Sequence, residues 1–179
     1  MNFCSDCGAP VALAVPAGDH LPRHVCTACS AIHYSNPKVV VGCVPEWEGR
    51  ILLCRRAIEP RLGFWTMPAG FMENGETARE GAARETLEES GSRVEVGDIL
   101  TLISIPDINQ VHMVFRARML EQGFGPTPES SEVRLFSEDD IPWYALAFRT
   151  VRHTLRHYVE DRRRGLSGLN VIDLGPAMV

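Results

Sequence analysis

The sequence predicts an α/β fold in which a mixed β-sheet lies between helices and is preceded by a small cysteine-rich module. Apolar or alternating residues indicate five strands, at 38–44, 50–56, 94–105, 111–119 and 133–136. Helix-favouring composition or helical spacing marks two further segments, 77–90 and about 145–163. Two Cys-x-x-Cys pairs occupy the first 34 residues. We therefore predict a small module at 1–34 and the α/β domain at 35–179.

The composition is that of a globular protein with an acidic balance. The chain has 179 residues, 45% of them hydrophobic and 23% charged, with a net charge of −5. This charge argues against a broad nucleic-acid or anionic-membrane surface. No stretch approaches the roughly 20 apolar residues of a membrane span, and the N-terminus lacks the basic and apolar parts of a signal peptide. These features predict a cytoplasmic protein whose cysteines hold metal or stay reduced.

The cysteine pairs predict a structural zinc site. Eighteen residues separate them, the spacing of a two-knuckle zinc module, and the proposed ligands are Cys4, Cys7, Cys26 and Cys29. Four thiolates close a tetrahedral site and leave no position for chemistry. A module this small needs the metal for its stability. Three histidines offer alternative ligands, namely His20, His24 and His33.

The helix predicted at 77–90 carries signals at both ends. Thr77 and Glu80 have the spacing of a capping box, and Gly91 stands where a helix ends in a left-handed turn. Three acidic residues, Glu85, Glu88 and Glu89, fall within about 100° of one another around this helix.

Such a cluster destabilises a helix unless a cation relieves the repulsion. Oxygen ligands suit Mg²⁺, which leaves coordination positions open for water and phosphate. The alternative is a plain solvated acidic face.

The loop and helix together resemble the Nudix box, the signature of the Nudix hydrolases. The positions that carry the resemblance are Gly70, Glu76, Arg84, Glu85, Glu88, Glu89 and Gly91. Thr86 and Ser92 depart from the pattern, because larger apolar residues are usual there. The resemblance implies a Nudix α/β/α sandwich with a mixed sheet, preceded by a zinc ribbon.

The resemblance also implies a reaction, the hydrolysis of a nucleoside diphosphate linked to another group. Mg²⁺ or Mn²⁺ would be held by the carbonyl of Gly70 and the carboxylates of Glu85, Glu88 and Glu89. Arg84 would be structural, pairing with Glu76 and Glu88. The catalytic residues would be Glu88, Glu89 and a base from another loop, for which we favour Glu129 over Glu132.

Other residues are candidates for substrate contact. Arg55, Arg56 and Arg61 have the chemistry for binding phosphate, and surface roles suit them equally well. The rings of Trp65, Phe64 and Tyr34 could stack on a base or belong to the core.

Two zinc-ribbon subfamilies resemble the chain. The NADH pyrophosphatases, which also remove NAD caps from RNA, carry a short Ser-Gln-Pro-Trp-Pro-Phe-Pro motif, and here that region reads SIPDINQVHMVFRA. ADP-ribose and FAD pyrophosphatases of bacteria and plant plastids resemble the chain along most of its length. We therefore expect ADP-ribose or FAD to be cleaved to AMP and the other phosphate, by a homodimer on family analogy. The alternatives are a housecleaning nucleoside triphosphate hydrolase and a ligand-sensing nucleic-acid-binding regulator.

Overall fold

The computed structural model describes residues 1–175, and the chain divides into two compact units, Met1–Pro37 and Lys38–Val179. The first unit is a three-stranded antiparallel sheet of β1 (Val11–Ala14), β2 (Arg23–Cys26) and β3 (Ile32–His33). Cys4 and Cys26 are buried in it, whereas Cys7 and Cys29 are exposed. Apart from these two cysteines, none of its apolar side chains is fully buried. The unit therefore lacks the apolar core that usually stabilises a domain.

Within residues 38–175, the second unit contains one large sheet and two helices. Its strands are β4 (Lys38–Trp47), β5 (Arg50–Arg56), β6 (Trp65–Thr66), β7 (Ala69–Phe71), β8 (Val94–Ile105), β9 (Gln110–Met119), β10 (Ser130–Phe136) and β11 (Asn170–Asp173). The helices are α1 (Ala78–Ser90) and α2 (Arg149–Arg164). Three short 3₁₀ turns lie at Pro106–Ile108, Glu138–Asp140 and Trp143–Ala145.

The large sheet is mixed, as predicted. Its main order is β10-β5-β4-β9-β8-β11, with β6 paired to β5 and β7 paired to β4. The β4–β9 and β8–β11 pairs are parallel and the other pairs are antiparallel. Because β7 pairs with the middle of β4, the residues that precede α1 are anchored at the centre of the sheet.

Each face of the sheet is covered by one helix. Val41 and Cys43 of β4 pack with Ala82 of α1. Val44 of the same strand belongs to a second cluster, which includes Leu155 of α2. Alternation along β4 sends these side chains to opposite faces, and the result is the predicted α/β/α sandwich. Cys43 and Cys54 are fully buried core thiols.

The predicted helix at about 145–163 begins later than expected, at Arg149. Leu146 bridges to Trp65, and the N–H of Ala147 donates to the carbonyl of Trp65 at 2.8 Å. This pairing keeps the chain extended immediately before the helix. The helical spacing of the apolar residues could not reveal it, because Leu146 is buried in either conformation.

Two other segments go beyond the sequence prediction. Strand β10 begins at Ser130, three residues before the strand predicted at 133–136. Part of the C-terminal tail forms β11, which pairs in parallel with β8, and residues 176–179 of that tail lie outside the described part. Within residues 1–175, no helix has the length and apolar character needed to cross a bilayer.

Candidate functional site

Helix α1 is fixed at both ends by the signals that the sequence predicts. The Thr77 side chain accepts from the N–H of Glu80 and the Glu80 carboxylate accepts from the N–H of Thr77, which together form a capping box. Gly91 ends the helix with φ 72° and donates its N–H to the carbonyl of Leu87. The helix is therefore closed at both ends, which fixes the acidic residues between them.

Arg84 connects the helix to the loop that precedes it. Its guanidinium donates to Glu76 at 2.9 and 3.0 Å and to Glu88 at 2.9 Å. It also donates to Glu85 at 2.8 Å and to the carbonyl of Phe71 at 3.2 Å. Arg84 lowers the pKa of Glu76 to about 2, so Glu76 remains ionised. With all these partners, Arg84 holds the loop against the helix and has no capacity left for a ligand.

Glu89 is the buried acid of the cluster, with 7% of its surface exposed. Its Oε2 atom accepts from the N–H of Ala69 in β7 at 3.1 Å. Burial raises its pKa to about 8, the Ala69 hydrogen bond opposes that shift, and the charges of Glu85 and Glu129 add to it. A carboxyl in this setting is poised to ionise when a cation binds beside it.

Glu85 lies against the backbone of Gly70. A Cβ atom at position 70 would collide with the Glu85 carboxyl, so glycine alone allows this approach. Burial raises the pKa of Glu85, whereas Arg84 opposes the shift. Glu88 is the outermost of the three, with a side chain that is 58% exposed. The oxygen-rich donor set fits a hard divalent cation, which would favour the ionised carboxylates that burial disfavours.

Of the two candidate bases, Glu129 lies nearer the cluster. Its charge raises the pKa of both Glu85 and Glu89. Its backbone carbonyl accepts from the N–H of Ala57 at 2.8 Å, which holds the residue beside the end of β5. Glu132 instead lies 3.6 Å from Arg55 in an ion pair.

The three predicted substrate contacts lie in and around the loop between β5 and β6. Arg55 donates to the carbonyl of Gly63 at 3.0 Å in addition to pairing with Glu132. Arg61 holds its guanidinium 5.6 Å from the ring centre of Phe64. Trp65 packs edge-on against Phe136 at 4.9 Å, so part of its ring belongs to the core.

Arg56, which the sequence offers with Arg55 and Arg61 as a phosphate-binding candidate, carries a charge that partly opposes the rise that burial causes in the pKa of Glu89. It also lies over the ring of Phe148 at 5.2 Å. The signal available was the Arg55-Arg56 pair at a strand end, where alternation sends the two side chains to opposite faces. Which face carries the site depends on how β5 pairs with distant strands.

The four predicted zinc ligands converge in the N-terminal unit. The Sγ atoms of Cys4, Cys7, Cys26 and Cys29 all lie within 4.8 Å of one another. Three of the Sγ–Sγ distances are 3.4 to 3.7 Å, near the edge of about 3.8 Å expected for four thiolates around zinc. Backbone N–H groups of Asp6, Ala28 and Cys29 point at these sulfurs from 3.4 Å. The donor set therefore fits Zn²⁺.

His33 lies beside this cluster, with Nε2 3.2 Å from the Sγ of Cys4. His20 and His24 are not among the clustered ligand atoms of residues 1–175. The four sulfurs already complete a tetrahedral set, so the position of His33 suits a hydrogen bond to a thiolate.

Both units match known protein families. The profile of the Nudix N-terminal zinc ribbon matches residues 2–35, and the NUDIX domain profile matches residues 36–158. The fold and the acidic helix therefore define a Nudix-type protein with a zinc ribbon. The chain belongs to the Nudix hydrolase family.

Similar proteins include several with named activities. An ADP-ribose pyrophosphatase of Methanocaldococcus jannaschii is 30% identical over 113 residues, which cover 61% of this chain and 67% of that protein. The NAD-capped RNA hydrolase NudC of Chromobacterium violaceum is 29% identical over 168 residues, or 92% of this chain. That match spans only 60% of the relative's own length.

A solved structure is more similar still. A NUDIX hydrolase from Nitrosomonas europaea superposes with a TM-score of 0.94 at 53% identity, covering 97% of this chain and 99% of that one. An ADP-ribose pyrophosphatase from Streptococcus suis superposes with a TM-score of 0.63 at 21% identity, covering 77% of this chain and 99% of that one. At that identity the second likeness concerns the fold alone.

Proposed function

We propose that the protein hydrolyses the diphosphate bond of a nucleoside diphosphate derivative, ADP-ribose or FAD, in the presence of Mg²⁺ or Mn²⁺. One observation carries the proposal: Glu85 and Glu89, one helical turn apart, both reach the short strand before the helix, with the Glu85 carboxyl against Gly70 and the Glu89 carboxylate bonded to the N–H of Ala69. Burial raises the pKa of both carboxyls. Crowded, desolvated carboxylates of this kind are costly for a fold unless they bind a cation. The capping box and Arg84 hold them in that arrangement.

In the proposed site each acidic residue has its own task. The carbonyl of Gly70 and the carboxylates of Glu85, Glu88 and Glu89 would hold the divalent cation. The cation supplies charge neutralisation for the phosphate oxygens and lowers the pKa of a bound water. Because Arg84 is fully engaged by Glu76, Glu85 and Glu88, it acts by positioning the loop.

Glu129 would accept the proton of the attacking water, with Glu88 and Glu89 completing the catalytic set. It lies close enough to Glu85 and Glu89 to affect both electrostatically. Its own side chain is exposed and can meet solvent. A new P–O bond forms to the water oxygen while the bridging P–O bond breaks. The products are AMP and the second phosphate compound, ribose 5-phosphate from ADP-ribose or FMN from FAD.

A substrate panel tests the proposal directly. Purified protein with Mg²⁺ is incubated with ADP-ribose, FAD, NADH, an NAD-capped RNA and a nucleoside triphosphate, and products are separated by chromatography. AMP release from ADP-ribose or FAD is the expected result. Pyrophosphate from the triphosphate alone would instead indicate a housecleaning hydrolase. Absence of turnover on every compound, with a ligand-dependent affinity for DNA or RNA, would favour a regulator.

NADH or NAD-capped RNA is the second candidate substrate. The NudC relative, named as an NAD-capped RNA hydrolase, aligns over 92% of this chain. Faster cleavage of NADH or capped RNA than of ADP-ribose and FAD in the same panel would favour this reading.

We also propose a cytoplasmic homodimer, on family analogy. Light scattering coupled to size exclusion measures the mass, and a monomer at assay concentration would contradict it.

A further inference from the structure

An arginine with uncommitted terminal nitrogens lies beside the acidic cluster. Arg56 is the last residue of β5 and pairs in register with Ser130, the neighbour of Glu129. Two residues earlier on the same face of β5, the Sγ atom of Cys54 lies 3.6 Å from the backbone carbonyl oxygen of Glu89. These two observations place a cation next to both the proposed base and the proposed metal ligand.

Two contacts hold the Arg56 side chain in one orientation. Its Nε atom donates to the carbonyl of Pro60 at 2.7 Å, and its guanidinium lies over the ring of Phe148 at 5.2 Å. Phe148 immediately precedes α2, and Ala147 beside it is hydrogen-bonded to Trp65. A guanidinium fixed in this way loses little further conformational freedom when it binds an anion.

Other arginines near the site are already engaged. Arg84 is hydrogen-bonded to carboxylates of the Nudix box. Arg55 forms an ion pair with Glu132 and donates to the carbonyl of Gly63. Within residues 1–175, the Arg56 side chain makes no ion pair, and its single hydrogen bond uses Nε. Both terminal nitrogens thus remain available, in the geometry that binds two oxygens of one phosphate.

We propose that Arg56 binds one phosphate of the substrate diphosphate through its two terminal nitrogens, and that Phe148 positions it. This inference rests on the proposed function. Arg56 would supply a fixed positive charge for phosphate oxygens, on the opposite face of β5 from Arg55.

The test compares Arg56→Gln and Arg56→Lys with the wild type. Calorimetry measures the Kd of a nonhydrolysable methylene analogue of ADP-ribose with Mg²⁺, and steady-state assays give KM and kcat for ADP-ribose. We expect R56Q to raise Kd and KM about 10- to 100-fold, as for the loss of a charged hydrogen bond, with a smaller change in kcat. R56K should recover part of the affinity, because lysine keeps the positive charge but lacks the paired N–H donors of the guanidinium. Phe148→Leu should weaken binding in the same direction but less.

Arg50→Gln is the matched control, since Arg50 begins the same strand and its one ion pair within residues 1–175 is with Glu48 at 3.9 Å. Its Kd and KM should equal those of the wild type. Thermal melting checks that the variants are folded. If R56Q is destabilised, the Kd and KM of R56K are used in its place.

The inference is overturned if a folded R56Q, or R56K in its place, binds the analogue within twofold of the wild type. A fall in kcat with unchanged Kd also overturns it. If the wild type binds the analogue but does not cleave ADP-ribose, the assignment of ADP-ribose as substrate is wrong. The role of Arg56 is then still tested by comparing the Kd of the analogue between R56Q and the wild type. Failure of the wild type to bind the analogue contradicts both the Arg56 inference and the ADP-ribose assignment, whereas FAD hydrolysis is judged by the substrate panel.

Discussion

The carboxylate of Glu89 accepts a hydrogen bond from the backbone N–H of Ala69 at 3.1 Å. The bond joins the last turn of α1 to β7, the short strand paired with the middle of β4. A single acid therefore ties the helix to the sheet through Ala69, the residue that precedes Gly70. The same contact that fixes the local fold also sets the position of the deepest carboxylate in the proposed cation site.

Replacing Glu89 by glutamine should abolish most turnover while the fold is kept. Gln can still accept from Ala69, but it removes the negative charge that a cation needs. We expect kcat to fall by about 100-fold or more, measured by AMP release with Mg²⁺. Glu80→Gln is the matched control on the same helix, because glutamine also serves in a capping box. Equal activity of E89Q and E80Q would contradict the site assignment.

The pKa of Glu89 predicts how stability depends on pH in magnesium-free buffer. The folded pKa, raised to about 8 by burial, exceeds the ordinary value of 4.5. The native state therefore binds the proton more tightly, and the contribution of Glu89 to stability falls as pH rises from 4.5 to about 8. E89Q should match the wild type near pH 5 and be the more stable protein at pH 9. Urea unfolding at pH 5, 7 and 9 measures the difference.

Added Mg²⁺ provides the control for that comparison. At pH 9 it should stabilise the wild type and leave E89Q nearly unchanged, because a ligand stabilises the state that binds it. A stability difference that is constant from pH 5 to 9 would show that Glu89 does not titrate in this range.

How much of this site the sequence could predict depends on where each residue lies along the chain. Glu85, Glu88 and Glu89 share one helix, so helical geometry alone brings them together. Glu129 lies 40 residues from Glu89 in the sequence, and only the pairing of β10 with β5 brings it near. The sequence names Arg56 with Arg55 and Arg61 as a phosphate-binding candidate but cannot rank them, since strand alternation separates Arg56 from Arg55 without showing which side faces the acids.

The start of α2 shows a second limit of prediction from the sequence, which concerns the bounds of a helix. Leu146 is apolar and at helical spacing, yet it pairs with Trp65 some 80 residues earlier in the sequence. Tertiary pairing therefore overrode the local pattern. The capping signals at Thr77 and Gly91 had no such competitor, and α1 has the predicted bounds to within one residue.

Gly70→Ala should damage the site through a single methyl group. The added Cβ would collide with the Glu85 carboxyl, so that side chain or the loop must move. We expect a loss of turnover of about tenfold or more, as displacements of about 1 Å can cost 100-fold, together with weaker Mg²⁺ stabilisation. Gly125→Ala, where a Cβ meets open space, should behave like the wild type in activity and melting temperature.

The cysteine cluster predicts one zinc ion per chain. Cys7→Ser should lower the zinc content measured by mass spectrometry and disorder the first unit, because that unit has little apolar core of its own. Cys43→Ala is the control: Cys43 is a buried thiol in the second unit, and its loss should leave the zinc content at one. Full zinc occupancy in C7S would contradict the assignment of Cys7 as a ligand.

Two buried hydroxyls predict opposite effects on stability. Ser92, which departs from the family pattern, is fully buried, and within residues 1–175 its Oγ has no hydrogen-bond partner. Ser92→Ala removes that unpaired group, so the free energy of unfolding should stay constant or rise by up to about 1 kcal/mol. Thr101 is equally buried, but its hydroxyl lies 3.0 Å from that of Thr154. Thr101→Val should therefore lower the free energy of unfolding by about 1–3 kcal/mol, because it leaves the Thr154 hydroxyl unpaired.

Urea titrations of both variants at one pH measure the contrast, and the Thr101→Val, Thr154→Val double variant serves as its control. Removing both partners should recover much of the loss, since no buried hydroxyl then lacks a partner at that position. A destabilised S92A would mean that the Ser92 hydroxyl is satisfied in solution, for example by a buried water. A stable T101V would mean that Thr154 finds another acceptor. The comparison isolates the effect of hydroxyl pairing on the free energy of unfolding. Both substitutions change the volume of the buried side chain little, because alanine is slightly smaller than serine and valine has nearly the shape of threonine.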